Sequence, residues 1–307
     1  MFVARGVIVC LAFFAVMYAS LSCAIGSAWF AGRRLRLTQA PASPGVLFGI
    51  RIFPFAASVF VAVFLTFPSF WIMERKSLDE DLTTFFLAAV AAVVLSAGLA
   101  RAIKATRLTR RAIARWSRES GIGREANAPA LNAAAGAPAL MLVGVCRPKV
   151  MVSDMAAAVL SESELRVAVR HELAHKRSWD NFKKVLINLT PFPGLHGIEH
   201  AWREAAELAA DQSAVATRQD ALDLATALIK LSRSAKQWSE PEVASALVCG
   251  SSAVATRVHR LLEWRTRPRL QRTWPWALLS VLIVTAVVSN YGTALAMTHR
   301  LTELLVP

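Results

Sequence analysis

Four stretches of the chain contain no Asp, Glu, Lys or Arg: Gly6 to Gly32, Ile52 to Met73, Thr83 to Ala100 and Trp276 to Met297. A helix needs about 20 mostly apolar residues to cross roughly 30 Å of hydrocarbon, so the pattern predicts four transmembrane helices. The third run is the shortest and the richest in alanine. Pro54 and Pro68 fall in the second, where neighbouring helices are expected to satisfy the carbonyls that a proline frees. Arg5 before the first run also fits a secretory signal. That run is too long for a signal core, "LSC" at Cys23 only loosely resembles a lipoprotein cleavage site, and arginines follow at once. A retained anchor is the reading.

Between the third and fourth runs the pattern changes. "RAIKATRLTRRAIARWSRES" reads as a basic helix leaving the membrane, and "GIGREANAPALNAAAGAP" as a loop or linker poor in large apolar residues. "ALMLVGVCRPKVMVS" holds two short β-type runs broken near Arg147 and Pro148, which predicts a hairpin or edge strands. "SESELRVAVRHELAHKRSWD" then opens with Ser161 and Glu164, the spacing of a capping box. Leu165, Ala168, Val169 and Leu173 follow at helical spacing and are expected to pack inward. The fold class that results is a mainly α membrane protein. Residues 1–100 form three spans with short loops, 101–275 an α+β domain, and 276–307 a fourth span with a short tail.

Composition sharpens this picture. Hydrophobic residues make up 55% of the 307, more than a soluble domain carries. The formal net charge of +14 raises the question of nucleic acid, but its placement answers otherwise. Arg33, Arg34 and Arg36 follow the first run; Arg101 to Arg118 follow the third; Arg265, Arg267, Arg269 and Arg272 precede the fourth. The connector "ERKSLDEDL" has more acids than bases. Positive residues stay on the cytoplasmic side, so the N-terminus is expected outside and residues 101–275 in the cytoplasm of a bacterial-type membrane. Anionic membrane lipid then accounts for the arginines, with no direct nucleic acid partner. Trp71, Trp274 and Trp276 sit at span ends as interfacial anchors. Cys10, Cys23, Cys146 and Cys249 show no metal-type spacing and fit a reducing compartment.

The candidate chemistry lies in the capped helix. His171 and His175 are i and i+4, so both imidazoles leave one side of it and can reach one zinc ion. Glu172 stands beside the first, placed to take a proton from metal-bound water without being a ligand. A third ligand is needed, and "HAWREAAELAADQSAV" offers His200, Glu204, Glu207 and Asp211 on one helical face. Either glutamate could complete a His-His-Glu site. Glu207 is preferred because Asp211 follows one turn on, where it can fix the tautomer of a ligating histidine. The turn in "NLTPFPGLHG" would fold the second helix against the first. His196 and His200 are expected at the surface, and His259 on a packed helix without chemistry.

The segments "GVCRPKVMVS", "LSESELRVAVRHELAHKRSWD" and "REAAELAAD" together resemble the BlaR/MecR-type integral-membrane zinc metallopeptidases, which are gluzincins. The likeness covers residues 140–215 and extends to the four-span layout. It implies Zn2+ as cofactor, His171, His175 and Glu207 as ligands, Glu172 as catalytic base and Asp211 as the acid behind a ligand. Asp180 matches an aspartate common after the histidine motif, with no role assigned. Two departures stand out. Ala210 replaces a frequent cysteine, and no serine has a lysine three residues later, so the acylating site of a β-lactam sensor is missing. The resemblance therefore implies cleavage of a cytoplasmic protein such as a transcriptional repressor, with a separate sensor partner. The alternatives are a housekeeping membrane protease of the HtpX or prenyl-protein type, and a catalytically silent signalling scaffold.

Overall fold

The computed structural model describes residues 2–35, 43–73, 82–119, 130–133, 140–234, 245–246, 251–264 and 291–305. In chain order these form α1 (Phe2–Arg34), α2 (Pro44–Val61), a π-helical turn (Ala62–Thr66), α3 (Phe67–Met73) and α4 (Leu82–Glu119). Strands β1 (Ala130–Ala133), β2 (Leu140–Val143) and β3 (Lys149–Ser153) come next. Helices α5 (Asp154–Val159), α6 (Glu162–Arg177) and α7 (Asp180–Leu189), a 3-10 turn (Pro193–Leu195), α8 (His196–Ala214) and α9 (Arg218–Ser234) follow. The described elements end with β4 (Ser245–Ala246), α10 (Ser251–Leu262) and α11 (Tyr291–Leu305).

Among the described residues three stretches, Val3–Arg34, Pro44–Ile72 and Leu82–Arg111, are long and apolar enough to cross a membrane. They correspond to the first three apolar runs. Of the fourth, residues 276–290 lie outside the described residues, and α11 covers only its end. The second span begins eight residues before the apolar run and so takes in Arg51. Ser43 caps it by accepting from the Val46 amide, with Pro44 in the first turn, where a missing N–H costs nothing. Pro68 cannot donate to the Phe64 carbonyl four residues back, and the helix widens into its π turn just before it. The Tyr291 hydroxyl donates to that oxygen at 2.8 Å. A neighbouring helix thus satisfies the freed carbonyl. The third span continues without a break as the basic helix to Glu119.

The sheet has the order β1-β3-β2-β4. β2 and β3 pair antiparallel as the expected hairpin, but in the middle of the sheet rather than at its edge. Gly144 makes the turn possible with φ +99°, a conformation that L side chains rarely adopt. β1 corrects the linker reading: part of that small-residue stretch runs parallel to β3. Its alanines show no hydrophobic alternation, and it is ordered by the ladder its partner offers, a signal no local pattern carries.

One face of this sheet, α6, α9 and α10 enclose a core that includes Leu140, Val150, Val167, Ala168, Leu224, Leu228 and Leu231. The capping box on α6 is present, with Ser161 N–H donating to Glu164 at 2.8 Å and Glu164 N–H to Ser161 Oγ at 3.3 Å. Such caps stabilise a helix start by about 1 kcal/mol. α7 was not separated from its neighbours by the hydrophobic pattern. It carries the chain from α6 down to the spans, and the turn after it sits among them. Phe192 packs edge-on to Tyr18, at 5.7 Å between ring centroids, within a cluster built by Phe14, Phe55 and Ala91. At Gly98 the third span touches this turn so closely that any Cβ would run into the Leu189 carbonyl. Among the described residues one core lies in the apolar bundle and another in the sheet-and-helix domain, and α8 runs between them, with Trp202 in a smaller cluster with Leu47 and Ile187.

Candidate metal centre

α6 and α8 face each other because the α7 detour and the 3-10 turn reverse the chain. The contact brings His171, His175 and Glu207 together, with ligand atoms all within 4.8 Å of one another. His175 Nε2 lies 3.2 Å from His171 Nε2 and 3.4 Å from Glu207 Oε1, and His171 Nε2 lies 3.5 Å from Glu207 Oε2. Glu204, the rival ligand, is exposed and pairs with His200 at 3.5 Å. His196 and His259 are likewise exposed, each beside a glutamate of its own helix.

The other ring nitrogens have their own partners. His171 Nδ1 is 2.9 Å from Asp211 Oδ1, and His175 Nδ1 is 2.7 Å from Asp180 Oδ2. The hydrogen bond to Asp180 favours the proton on His175 Nδ1 and leaves its Nε2 as a lone pair, and Asp211 lies beside His171 Nδ1 as a close charged contact. Two imidazole Nε2 atoms and a carboxylate then converge in a buried space, an arrangement that repels itself unless a proton or a cation sits between. Zinc–nitrogen bonds of about 2.0–2.1 Å at tetrahedral angles set ligand atoms about 3.3–3.4 Å apart, and the contacts of 3.2, 3.4 and 3.5 Å, the last two to different oxygens of Glu207, lie close to that spacing. The residues fit the ion. Asp180, left without a role by the sequence, is the partner of the second histidine.

Two further features were missed. Asp180 is aimed by the turn before it, where Trp179 takes the left-handed conformation at φ 57°. That is unusual for a bulky side chain and lets α7 start at a sharp angle to α6. The neighbouring Asn181 donates to the Leu142 and Gly144 carbonyls at 3.1 and 2.9 Å, which pins α7 to the end of β2. The second feature is Arg257 on α10. It donates to both oxygens of Asp211, at 2.8 and 2.7 Å, and lies 2.9 Å from Glu207 Oε2. Its signal was present in the sequence: position 257 shares a helical face with the apolar Val254, Val258 and Leu261, where a charge needs a partner.

Electrostatics follow from this burial. Burial alone would raise the pKa of Glu207, but the two histidines and Arg257 hold it well below the usual carboxylate range. Asp211 is also lowered: burial opposes, and Arg257 and His171 prevail. Burial would lower the pKa of His171, yet Asp211 and Glu207 carry it above its ordinary value. Arg257 is raised despite burial, by Asp211 first and then by Glu207 and Glu172. Both carboxylates therefore stay ionised. Glu172 is completely buried beside the triangle without belonging to it. An open groove of about 740 Å³ reaches His175 and Asp180 from the side of Cys146, Arg147 and Trp179, giving a solvent approach to this end of the site.

A family model described as BlaR1 peptidase M56 matches residues 81–261, which take in the third span, both metal-site helices and Arg257. No curated protein matches the chain.

Proposed function

The chain belongs to the BlaR1 peptidase M56 family, and on that premise we propose that it is a membrane-bound zinc endopeptidase cleaving a cytoplasmic regulatory protein. The observation that carries this reading is the convergence of His171, His175 and Glu207, with each histidine backed by its own carboxylate. His171, His175 and Glu207 hold the ion; Asp180, Asp211 and Arg257 orient them. Bound zinc supplies a Lewis acid that brings the pKa of a coordinated water to about 7 and polarises the scissile carbonyl. Glu172 is the general base: it takes the proton of the attacking water and returns it to the leaving amine. Its burial keeps the carboxylate away from bulk water.

Three candidate spans precede His171, which supports the four-span signalling layout over a housekeeping protease. The arginines ending the first span and following the third support a cytoplasmic position for the site. A repressor-like cytoplasmic substrate, and a sensor bound through the spans, are the partners this reading requires. The test is Glu172→Gln in the full-length, detergent-purified protein, with fluorescent casein as general substrate. One zinc per chain should remain while cleavage falls by about 100- to 10,000-fold, the usual worth of a general base. A variant that still cuts, or that has lost its zinc, contradicts the assignment.

A further inference from the structure

Arg51 lies seven residues into the second span, yet its guanidinium reaches out of the membrane bundle to the chain around α7 and α8. Nε and Nη2 donate to Glu199 Oε1 at 2.9 and 2.8 Å, Nη1 to Thr190 Oγ1 at 3.1 Å, and Nη2 to the Thr190 and Ile187 carbonyls at 2.6 and 3.5 Å. Arg51 is 1% exposed and Glu199 12%. A charge buried among apolar helices is costly unless paired, and its presence there marks a function more often than a packing need. A leucine would pack the bundle as well. What only a guanidinium can do is bind three groups in fixed directions at once.

Those three groups end α7 and begin α8. Tyr18 of the first span adds to the grip, donating to the Thr190 and Pro191 carbonyls at 3.1 and 3.2 Å. One turn beyond Glu199, Trp202 is buried against Phe48 and Leu47 of the second span, with ring centroids of Phe48 and Trp202 6.2 Å apart. Glu207 lies eight residues after Glu199, roughly 12 Å along the same straight helix. The depth and rotation of α8 at Glu199 are therefore passed to Glu207 and Asp211.

We propose that Arg51 is a positioning residue for the metal site, fixing α8 from within the second span so that Glu207 meets the two histidines on α6. The proposal rests on the reading of that cluster as a metal site. It also means that a shift of the second span is felt at the third ligand.

The test uses full-length protein without native cysteines, spin-labelled at positions 166 on α6 and 203 on α8, both exposed. Pulsed electron spin resonance of metal-free protein should give one narrow α6–α8 distance in the parent and a broadened or shifted one in Arg51→Met. Arg51→Lys, which keeps the charge, should recover much of the parent distribution. Zinc affinity by chelator competition should fall about 10-fold in Arg51→Met, the low end for groups that orient ligands. A purely structural arginine predicts a lower melting temperature with the distance and zinc affinity of the folded protein unchanged, and that result overturns the proposal. If Arg51→Met does not fold, Glu199→Gln carries the same readouts: a broader distance supports the proposal and an unchanged one overturns it. A parent that takes up no zinc refutes the metal site instead, while the metal-free distances still decide the role of Arg51.

Discussion

His171 and His175 ride on α6, whose inner side belongs to the sheet-and-helix core with Val167 and Ala168 fully enclosed. Glu207 and Asp211 ride on α8, whose N-terminal half is packed on the second span through Trp202 and bonded to it through Glu199. The first half of the site is thus fixed by a capped helix within the sheet-and-helix core. The second is fixed at one end by the second candidate span and at the other by Ala214, which joins the sheet-and-helix core. What the difference teaches is that the ligand triangle closes only when two separately packed bodies are in register. Arg257, from a third helix, ties the carboxylate half back to the sheet-and-helix core.

The sharpest way to break this comparison is to remove one ligand from each half. His175→Ala and Glu207→Ala should lower zinc occupancy equally severely, because three ligands are the minimum a catalytic zinc site keeps. Glu204→Ala should leave occupancy near that of the parent, since its side chain is exposed and paired with His200. Metal analysis after gel filtration decides it. If Glu204→Ala strips zinc and Glu207→Ala does not, the carboxylate half has been placed wrongly.

A smaller effect should separate the supports from the ligands. Asp180→Asn in the histidine half and Asp211→Asn in the carboxylate half should each weaken zinc affinity by about 10–100-fold. Asp211 is also bonded by Arg257, which its loss leaves buried beside Glu207 without its main partner. Asp211→Asn should therefore also lower the melting temperature of metal-free protein more than Asp180→Asn does. Equal melting temperatures would mean that the two halves are supported alike.

The same division explains what the sequence made legible. α6 was readable because everything that defines it is local: a capping box, an apolar stripe and two histidines one turn apart. Glu207 was readable through its spacing to Asp211. Arg51 was not, because it lies just outside the apolar run, where an arginine reads as a loop charge or membrane-face charge. Asp180 had a position but no partner, since its meeting with His175 depends on the left-handed turn at Trp179. Arg257 was hidden in a helix judged by its histidine. β1 was lost because alanines and an asparagine pair only when a distant strand, β3, is already in place. Local pattern reveals the half built on a local core; contacts between the two bodies appear only in three dimensions.

The central claim is that two imidazoles from α6 and one carboxylate from α8 surround a single zinc ion. X-ray absorption at the zinc edge of the full-length protein, loaded with one equivalent of zinc, tests it most directly. The account predicts a nitrogen/oxygen shell at about 2.0–2.1 Å, with the outer-shell scattering of two imidazoles and no sulfur. In Glu207→Ala the protein should fail to hold that equivalent. A shell containing sulfur at about 2.3 Å, or a two-imidazole shell left unchanged in Glu207→Ala, would contradict it.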